Sequence, residues 1–125
     1  MNTNTPQFLQ ECRTALAAEQ TKSLAATDNW AHVDKQKVHQ DWDALYLKLA
    51  PLVDSLAPSA EPVQALIAEH YSIATRFYAP TKQAYIGLGL FYGDDPDMMK
   101  YHNAYHSNMV PFLAEAIAIY ADANL

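Results

Sequence analysis

The stretch YIGLGLFYGDDPDMMKYH, residues 85–102, is the part of this 125-residue chain that says most about its fold. Its first half is apolar on most of a helical circumference, which is typical of a helix buried on several sides. Gly87 and Gly89 each cost about 1 kcal/mol relative to alanine inside a helix, so they fit best where a neighbouring backbone or a ligand comes close. A phosphate-binding loop would continue with Lys and Ser or Thr, and this stretch does not. We therefore expect the segment from about Thr81 to Tyr92 to form the central, most buried helix.

The aspartates that follow are typical of a junction between two helices. Gly93 can end the first helix, Asp95 can cap the next one, and Pro96 fits the first position of that next helix. A calcium-binding EF-hand loop would need oxygen ligands at alternate positions over twelve residues and a closing glutamate, and the sequence offers neither. The helix that begins at Pro96 would place four side chains on one face: Met98, Tyr101, His102 and Tyr105.

Apolar residues recur at helical spacing along nearly the whole chain, and only three glycines are available for hairpin turns. The predicted fold class is therefore all-α. Thr5 followed by Pro6 predicts the start of the first helix, Asp34 is a cap for the second, and Ser59 is a candidate cap for the third. Pro51 predicts a kink or a break in the apolar helical pattern that begins after Asp34.

We expect a single domain over residues 1–125. Residues 1–33 would contain a peripheral first helix, which carries Cys12, and a break around Trp30 that is a candidate lid. Residues 34–125 would form the core, in which a helix presents His70 and Phe77 on its inner face.

Charge and composition argue against several classes of function. The formal net charge is −6, and the eight Lys and Arg residues form no basic run, so nucleic-acid binding is not expected. No segment approaches the ~20 apolar residues that cross a bilayer, and the amino terminus lacks the pattern of a secretory signal, so we expect a cytoplasmic protein. A single cysteine forms neither an internal disulfide nor a thiolate metal site.

Aromatic residues make up 11% of the chain and concentrate between Tyr71 and Tyr105. Each ring taken alone fits a packed core, but so many hydroxyl groups are difficult to satisfy in a dry interior, which favours a pocket. A pocket of this kind suits an aromatic ligand that is both stacked and hydrogen-bonded. The candidate ligand-binding residues are Trp30, His70, Phe77, Tyr78, Tyr85, Tyr92, Tyr101, His102 and Tyr105.

Histidines supply the alternative hypothesis, a haem- or metal-binding helical protein. His102 and His106 have the i, i+4 spacing that two metal ligands use on one helix face, and His70 or Glu69 could complete such a site. His70 also lies on an apolar helix face, as an axial haem ligand does, although a hydrogen-bonded histidine at a pocket wall explains it better. We expect no cofactor and no metal. Since no serine or cysteine lies in a nucleophile context and no tuned carboxylate pair occurs, we expect no catalytic residue and no enzyme activity.

A long helix with a tryptophan, then LGLFYGDDPD at residues 88–97, then Tyr101, then PFLAEAIAIY at residues 111–120 form a pattern that resembles a known family. The chain resembles the TipAS antibiotic-recognition domain from about Asp34 to Tyr120. This resemblance implies a globin-like arrangement of about five to seven helices around a ligand groove. It also implies bulky, flat, largely apolar antibiotics as ligands, thiopeptide-like or albicidin-like.

Two departures from the family pattern change the expected behaviour. MerR-type regulators add an amino-terminal winged helix-turn-helix and a coiled coil, for which 125 residues leave no room, so we expect drug sequestration or sensing without DNA contact. The thiopeptide-binding member captures its ligand through a cysteine, and residues from about Phe77 to Tyr85 contain none. We therefore expect non-covalent binding. The amphipathic amino-terminal helix packs equally well within a chain or across a homodimer.

Overall fold

A computed structural model describes residues 5–125, and this part of the chain consists of helices and connecting segments, with no strand. The six helices are α1 (Pro6–Ala26), α2 (Lys35–Leu49), α3 (Glu61–Ala74), α4 (Lys82–Asp94), α5 (Pro96–Asn103) and α6 (Met109–Asn124). The all-α prediction is confirmed. The predicted amino-terminal part, residues 1–33, includes residues 1–4, which lie outside the described residues. Within residues 5–125, none of the helices combines the length and the apolar character needed to span a bilayer.

Most helix starts follow the local capping signals. The side chains of Thr5, Asp34 and Asp95 each accept a hydrogen bond from a backbone N–H in the first turn of α1, α2 and α5. Thr81 caps α4 in the same way, through the backbone N–H of Ala84. These caps satisfy donors that have no partner inside the helix, which is why short-range sequence signals predict them.

Three local predictions were wrong. Ser59 does not cap α3, because the residue at the cap position is Ala60, and no side chain satisfies the first N–H groups there. Gly93 does not end α4, which continues to Asp94 without a glycine at positive φ. Phe77 does not lie on the inner face of α3, because that helix ends at Ala74 and Phe77 follows in a turn. The break predicted at Pro51 is confirmed, since α2 ends at Leu49 and a single 3₁₀ turn, which contains Pro51, follows.

Helix α4 lies at the centre of the fold, between α1 and α6. A Cβ atom on Gly87 would stand 2.9 Å from the carbonyl carbon of Cys12 in α1, and one on Gly89 would stand 3.2 Å from the Cα of Ala114 in α6. The two glycines therefore allow close backbone approach on both sides of the helix, as the sequence predicted. Helix α1 is not peripheral, because Cys12 is fully buried against α4.

Candidate ligand-binding site

An open cavity of about 310 Å³ lies beside α4, between α2, α5, part of α1 and the segments that follow α1 and α3. Eight of its sixteen lining residues are Phe, Trp or Tyr, and none of the sixteen is Asp, Glu, Lys or Arg. The lining residues are Leu16, Gln20, Trp30, His39, Trp42, Tyr46, Ala74, Phe77, Tyr78, Pro80, Leu88, Phe91, Tyr92, Met98, Tyr101 and His102. The wall is therefore aromatic and uncharged.

The floor of the cavity is built from Tyr46, Tyr92 and His102. The ring of Tyr92 stacks on that of His102, with centroids 4.0 Å apart and an angle of 27°. Nδ1 of His102 donates to the carbonyl oxygen of Met98 at 2.7 Å, so Nε2 is left to accept from the hydroxyl of Tyr46 at 3.1 Å. Burial lowers the pKa of His102, and the neutral tautomer is held in one orientation.

His70 lies fully buried beneath this floor. Its Nδ1 lies 2.9 Å from the hydroxyl of Tyr85, and its Nε2 lies 3.2 Å from the hydroxyls of both Tyr46 and Tyr92. Burial, with a smaller effect from nearby His102, lowers the pKa of His70 to about 3. His70 is thus a neutral group whose Nε2 lies against the two tyrosines of the floor and whose Nδ1 is bonded to Tyr85, and it is one layer removed from the cavity.

The edge of the cavity is formed by Trp30, Phe77 and Trp42. The ring of Phe77 meets Trp30 edge-on at a centroid distance of 4.9 Å and stacks on Trp42 at 6.0 Å. The indole N–H of Trp30 donates to the hydroxyl of Ser23 at 2.8 Å. Asp28, Asn29 and Trp30 have φ angles of 53°, 59° and 62°, a left-handed conformation that Asp and Asn tolerate but that is strained for Trp30.

The segment that carries Trp30 is also fastened to the end of α3. Nε2 of His32 lies within 3.1 Å of the carbonyl oxygens of Arg76 and Phe77, to which it donates. Lys35 donates to the carbonyl oxygen of Trp30 at 3.0 Å. The sequence predicted a break around Trp30, and the structure has a turn there that covers one side of the cavity.

The structure brings six of the nine candidate residues to the cavity wall: Trp30, Phe77, Tyr78, Tyr92, Tyr101 and His102. The other three do not line it. His70 and Tyr85 are fully buried below the floor, and the hydroxyl of Tyr105 donates to the carboxylate of Asp43. Contact of these residues with a ligand stays a prediction.

Helix α2 supplies three wall residues that are absent from the candidate ligand-binding residues named from the sequence: His39, Trp42 and Tyr46. Trp42 and Tyr46 are one turn apart on the inward face of α2, at a spacing that serves a core or a cavity wall equally well. The sequence signal that could have identified these wall residues is an aromatic pair one helical turn apart.

The histidines proposed for a metal or a haem are engaged with protein groups. His106 lies in the turn after α5, where its Nε2 pairs with Asp54 at 2.8 Å and its Nδ1 accepts from the backbone N–H of Asn108. Both nitrogens of His70 and of His102 are likewise hydrogen-bonded. Across residues 5–125, no three His, Cys, Asp or Glu residues cluster in a way that could hold a metal ion.

An open, uncharged, aromatic cavity of this size in an all-α fold is typical of a domain that binds small organic molecules. The family model described as TipAS antibiotic-recognition domain matches residues 10–120 of the chain. The chain therefore belongs to the TipAS antibiotic-recognition domain family. This membership supports antibiotic binding as the general function of the chain. Searches of curated proteins and of solved structures give no significant match.

Proposed function

We propose that this domain binds bulky, flat, largely apolar antibiotics of the thiopeptide or albicidin kind in the cavity beside α4. The observation that carries the proposal is the wall itself, in which eight aromatic residues face a space of about 310 Å³ and no charged side chain lines it. Aromatic rings provide apolar area and preferred stacking geometry for a flat ligand. Because such antibiotics are larger than the cavity, one planar section would enter and the remainder would extend from the opening.

Binding is proposed to be non-covalent. Capture by a cysteine requires a thiolate at the ligand, and Cys12 is not among the residues of the cavity wall. It lies between α1 and α4 with no exposed area, and burial raises the pKa of its thiol. The nucleophilic form of Cys12 is therefore disfavoured as well as inaccessible.

The segment around Trp30, from Thr27 to Val33, is proposed as a lid. Its polar attachments are the Ser23 contact of Trp30 and the bonds of His32 to the carbonyl groups that follow α3, and the Trp30 ring also packs edge-on against Phe77. The left-handed conformation of Trp30 stores backbone strain, which lowers the free-energy difference between this arrangement and an open one. Movement of Trp30 away from Phe77 would widen the opening for a ligand.

In the cell, such a domain would sequester a drug from its target or report its presence to another protein. Both roles require only tight, reversible binding by this domain. Both would follow from the same cavity.

Titration with a thiopeptide, an albicidin-like oligobenzamide and a fluoroquinolone tests the proposal. Trp30 and Trp42 both line the cavity, so a bound aromatic drug should change the tryptophan fluorescence. Calorimetry should give the same dissociation constant. If no member of the panel alters the fluorescence or releases heat, the proposed function is rejected.

Two adjacent methionines of α5 provide matched variants for this titration. Met98 lines the cavity, whereas Met99 is 41% exposed and does not. Met98→Ala should weaken binding about tenfold, since it removes apolar contacts worth roughly 1–2 kcal/mol. Met99→Ala should leave the affinity unchanged, and equal affinities for the two variants would show that Met98 does not contact the ligand.

A further inference from the structure

Hydrogen bonds between buried side chains connect four of the helices that surround the cavity. The hydroxyl of Tyr85 in α4 lies 2.9 Å from Nδ1 of His70 in α3, whose Nε2 lies 3.2 Å from the hydroxyl of Tyr46 in α2. The same Tyr46 hydroxyl lies 3.1 Å from Nε2 of His102 in α5, and Nδ1 of His102 lies 2.7 Å from the carbonyl oxygen of Met98. All four side chains are buried, so these polar groups satisfy one another.

The direction of these bonds follows from the end at Met98. A carbonyl oxygen can only accept, so Nδ1 of His102 carries the hydrogen and Nε2 of this neutral ring accepts from Tyr46. The single hydrogen of the Tyr46 hydroxyl is then in use, and toward His70 its oxygen can only accept. Nε2 of His70 must therefore carry a hydrogen to bond Tyr46, which leaves Nδ1 to accept from Tyr85.

The opposite tautomer of His70 fits these distances less well. Its unprotonated Nε2 would face the lone pairs of Tyr46 at 3.2 Å, which is a repulsive contact. The hydroxyl of Tyr85 would have to donate to the carbonyl oxygen of Ile67 at 3.5 Å, near the limit of a hydrogen bond, instead of to Nδ1 at 2.9 Å. The Tyr92 hydroxyl, also 3.2 Å from Nε2, suits either tautomer because a hydroxyl both donates and accepts.

We propose that one directional hydrogen-bond chain positions the floor of the cavity, and that it runs through Tyr85, His70, Tyr46 and His102. In this chain His70 is the Nε2–H tautomer and His102 is the Nδ1–H tautomer. Tyr85 and His70 are then positioning residues, which do not line the cavity and act on it through Tyr46 and Tyr92 of the wall. The expected effect on affinity rests on the proposed function, whereas the two tautomers do not.

Nitrogen NMR of histidine-labelled protein tests the hydrogen-bond chain without a ligand. At pH 7 both rings are neutral, since burial lowers the pKa of each, and protonated and unprotonated ring nitrogens have well-separated chemical shifts. His70 should show a protonated Nε2 and His102 a protonated Nδ1. The variants His70→Gln and His102→Gln assign the signals, since each lacks one ring. A protonated Nδ1 in His70 would overturn the proposed direction.

Tyr85→Phe tests the positioning role, because it removes only the hydroxyl at the start of the hydrogen-bond chain. His70 would lose the donor that fixes its tautomer, so its ring should show a mixture of the two tautomers. With Tyr46 less firmly held, each drug of the titration panel that the wild-type protein binds should bind about threefold more weakly, although Tyr85 does not line the cavity. Unchanged affinity in Tyr85→Phe would overturn the positioning role.

Gln64→Leu is the matched control for a general loss of stability. The Gln64 amide in α3 donates to the carbonyl oxygens of Pro58 and Ala116, outside the hydrogen-bond chain and away from the cavity wall. This variant should lower the urea midpoint while keeping the His70 tautomer and the drug affinity of the wild type. An equal loss of affinity in Gln64→Leu and Tyr85→Phe would contradict the proposal. If no drug of the panel binds the wild-type protein, the proposed function fails and the positioning role fails with it, while the NMR spectra still decide the tautomers.

Discussion

Gly87 of α4 lies directly against the backbone of Cys12 in α1, where a Cβ atom would stand 2.9 Å from the Cys12 carbonyl carbon and still closer to its oxygen. The obstacle is main chain inside a helix, which cannot rotate aside as a side chain can. The distance between α1 and α4 is therefore set by the absence of a side chain at this position. Because α1 contributes Leu16 and Gln20 to the cavity wall, this contact also positions part of the site.

Gly87→Ala should destabilise the protein by about 2 kcal/mol, since the overlap with Cys12 outweighs the gain of about 1 kcal/mol in helix propensity. Gly93→Ala is the control, because its new methyl group would meet only a side-chain methyl of Val110, at 3.2 Å. That variant should be as stable as the wild type or more so. Urea denaturation measures both, and equal stability of the two variants would contradict the backbone contact.

The elements that the sequence predicted well depend on neighbours close in the chain. The caps Thr5, Asp34 and Asp95 bond to backbone groups three residues away. The two glycines of α4 indicate close approach because glycine in a helix interior is destabilising unless a neighbour needs the space. The sequence did not indicate which helices approach α4, because residues far apart in the chain meet there. Ser59 shows the limit of local signals, since a suitable cap residue lies one position from the actual cap, Ala60.

The site was harder to predict, because helical periodicity identifies an inward face without indicating what that face meets. Trp42 and Tyr92 point inward to a cavity, whereas Tyr85 and His70 point inward to one another. Which of these occurs depends on the distances and angles between α2, α3 and α4. Composition indicated that many rings had to border a space, but the positions of those rings required the three-dimensional structure.

Asp95→Ala should lower the free energy of unfolding by about 1 kcal/mol, because the Asp95 carboxylate accepts from the backbone N–H of Met98 at 3.0 Å and caps α5. Since α5 carries Met98, Tyr101 and His102 of the cavity wall, fraying of its first turn should also weaken drug binding several-fold. Asp95→Asn retains a side-chain acceptor and should restore most of both properties. Circular dichroism during urea denaturation and fluorescence titration measure the two effects, and unchanged values for Asp95→Ala would show that the cap is dispensable.

The buried histidine His70 predicts a stability that falls with acidity. Its folded-state pKa, about 3, lies below the unfolded value of 6.5, so the unfolded chain binds more protons between these two values. The stabilisation is fully present above about pH 6.5 and is lost progressively as the pH falls toward 3. The lowered pKa of His102 acts in the same direction.

The variant His70→Gln isolates this effect, since it cannot titrate and still offers a donor and an acceptor to the surrounding tyrosines. It should be less stable than the wild type at neutral pH, and the difference should shrink as the pH falls. Acid titration of Asp41, whose pKa is lowered chiefly by Arg76, contributes equally to both proteins and cancels in the comparison. The urea midpoints of the two proteins, measured as a function of pH, test this prediction. A constant difference between the two midpoints at all pH values would contradict a neutral His70 in the folded protein.

The thiol of Cys12 should be unreactive in the folded protein. It has no exposed area, and burial raises its pKa, so both access and the thiolate fraction are reduced. Iodoacetamide should modify the native protein at least about a hundredfold more slowly than the protein in denaturant, because reaction of the native protein requires unfolding.

Intact-mass measurement after incubation with a thiopeptide, whose dehydroamino acids react with thiols, should give the mass of the free chain. Gel filtration in denaturant should remove the drug. A stable adduct on Cys12 would contradict non-covalent binding and would require α1 to separate from α4 when the ligand enters.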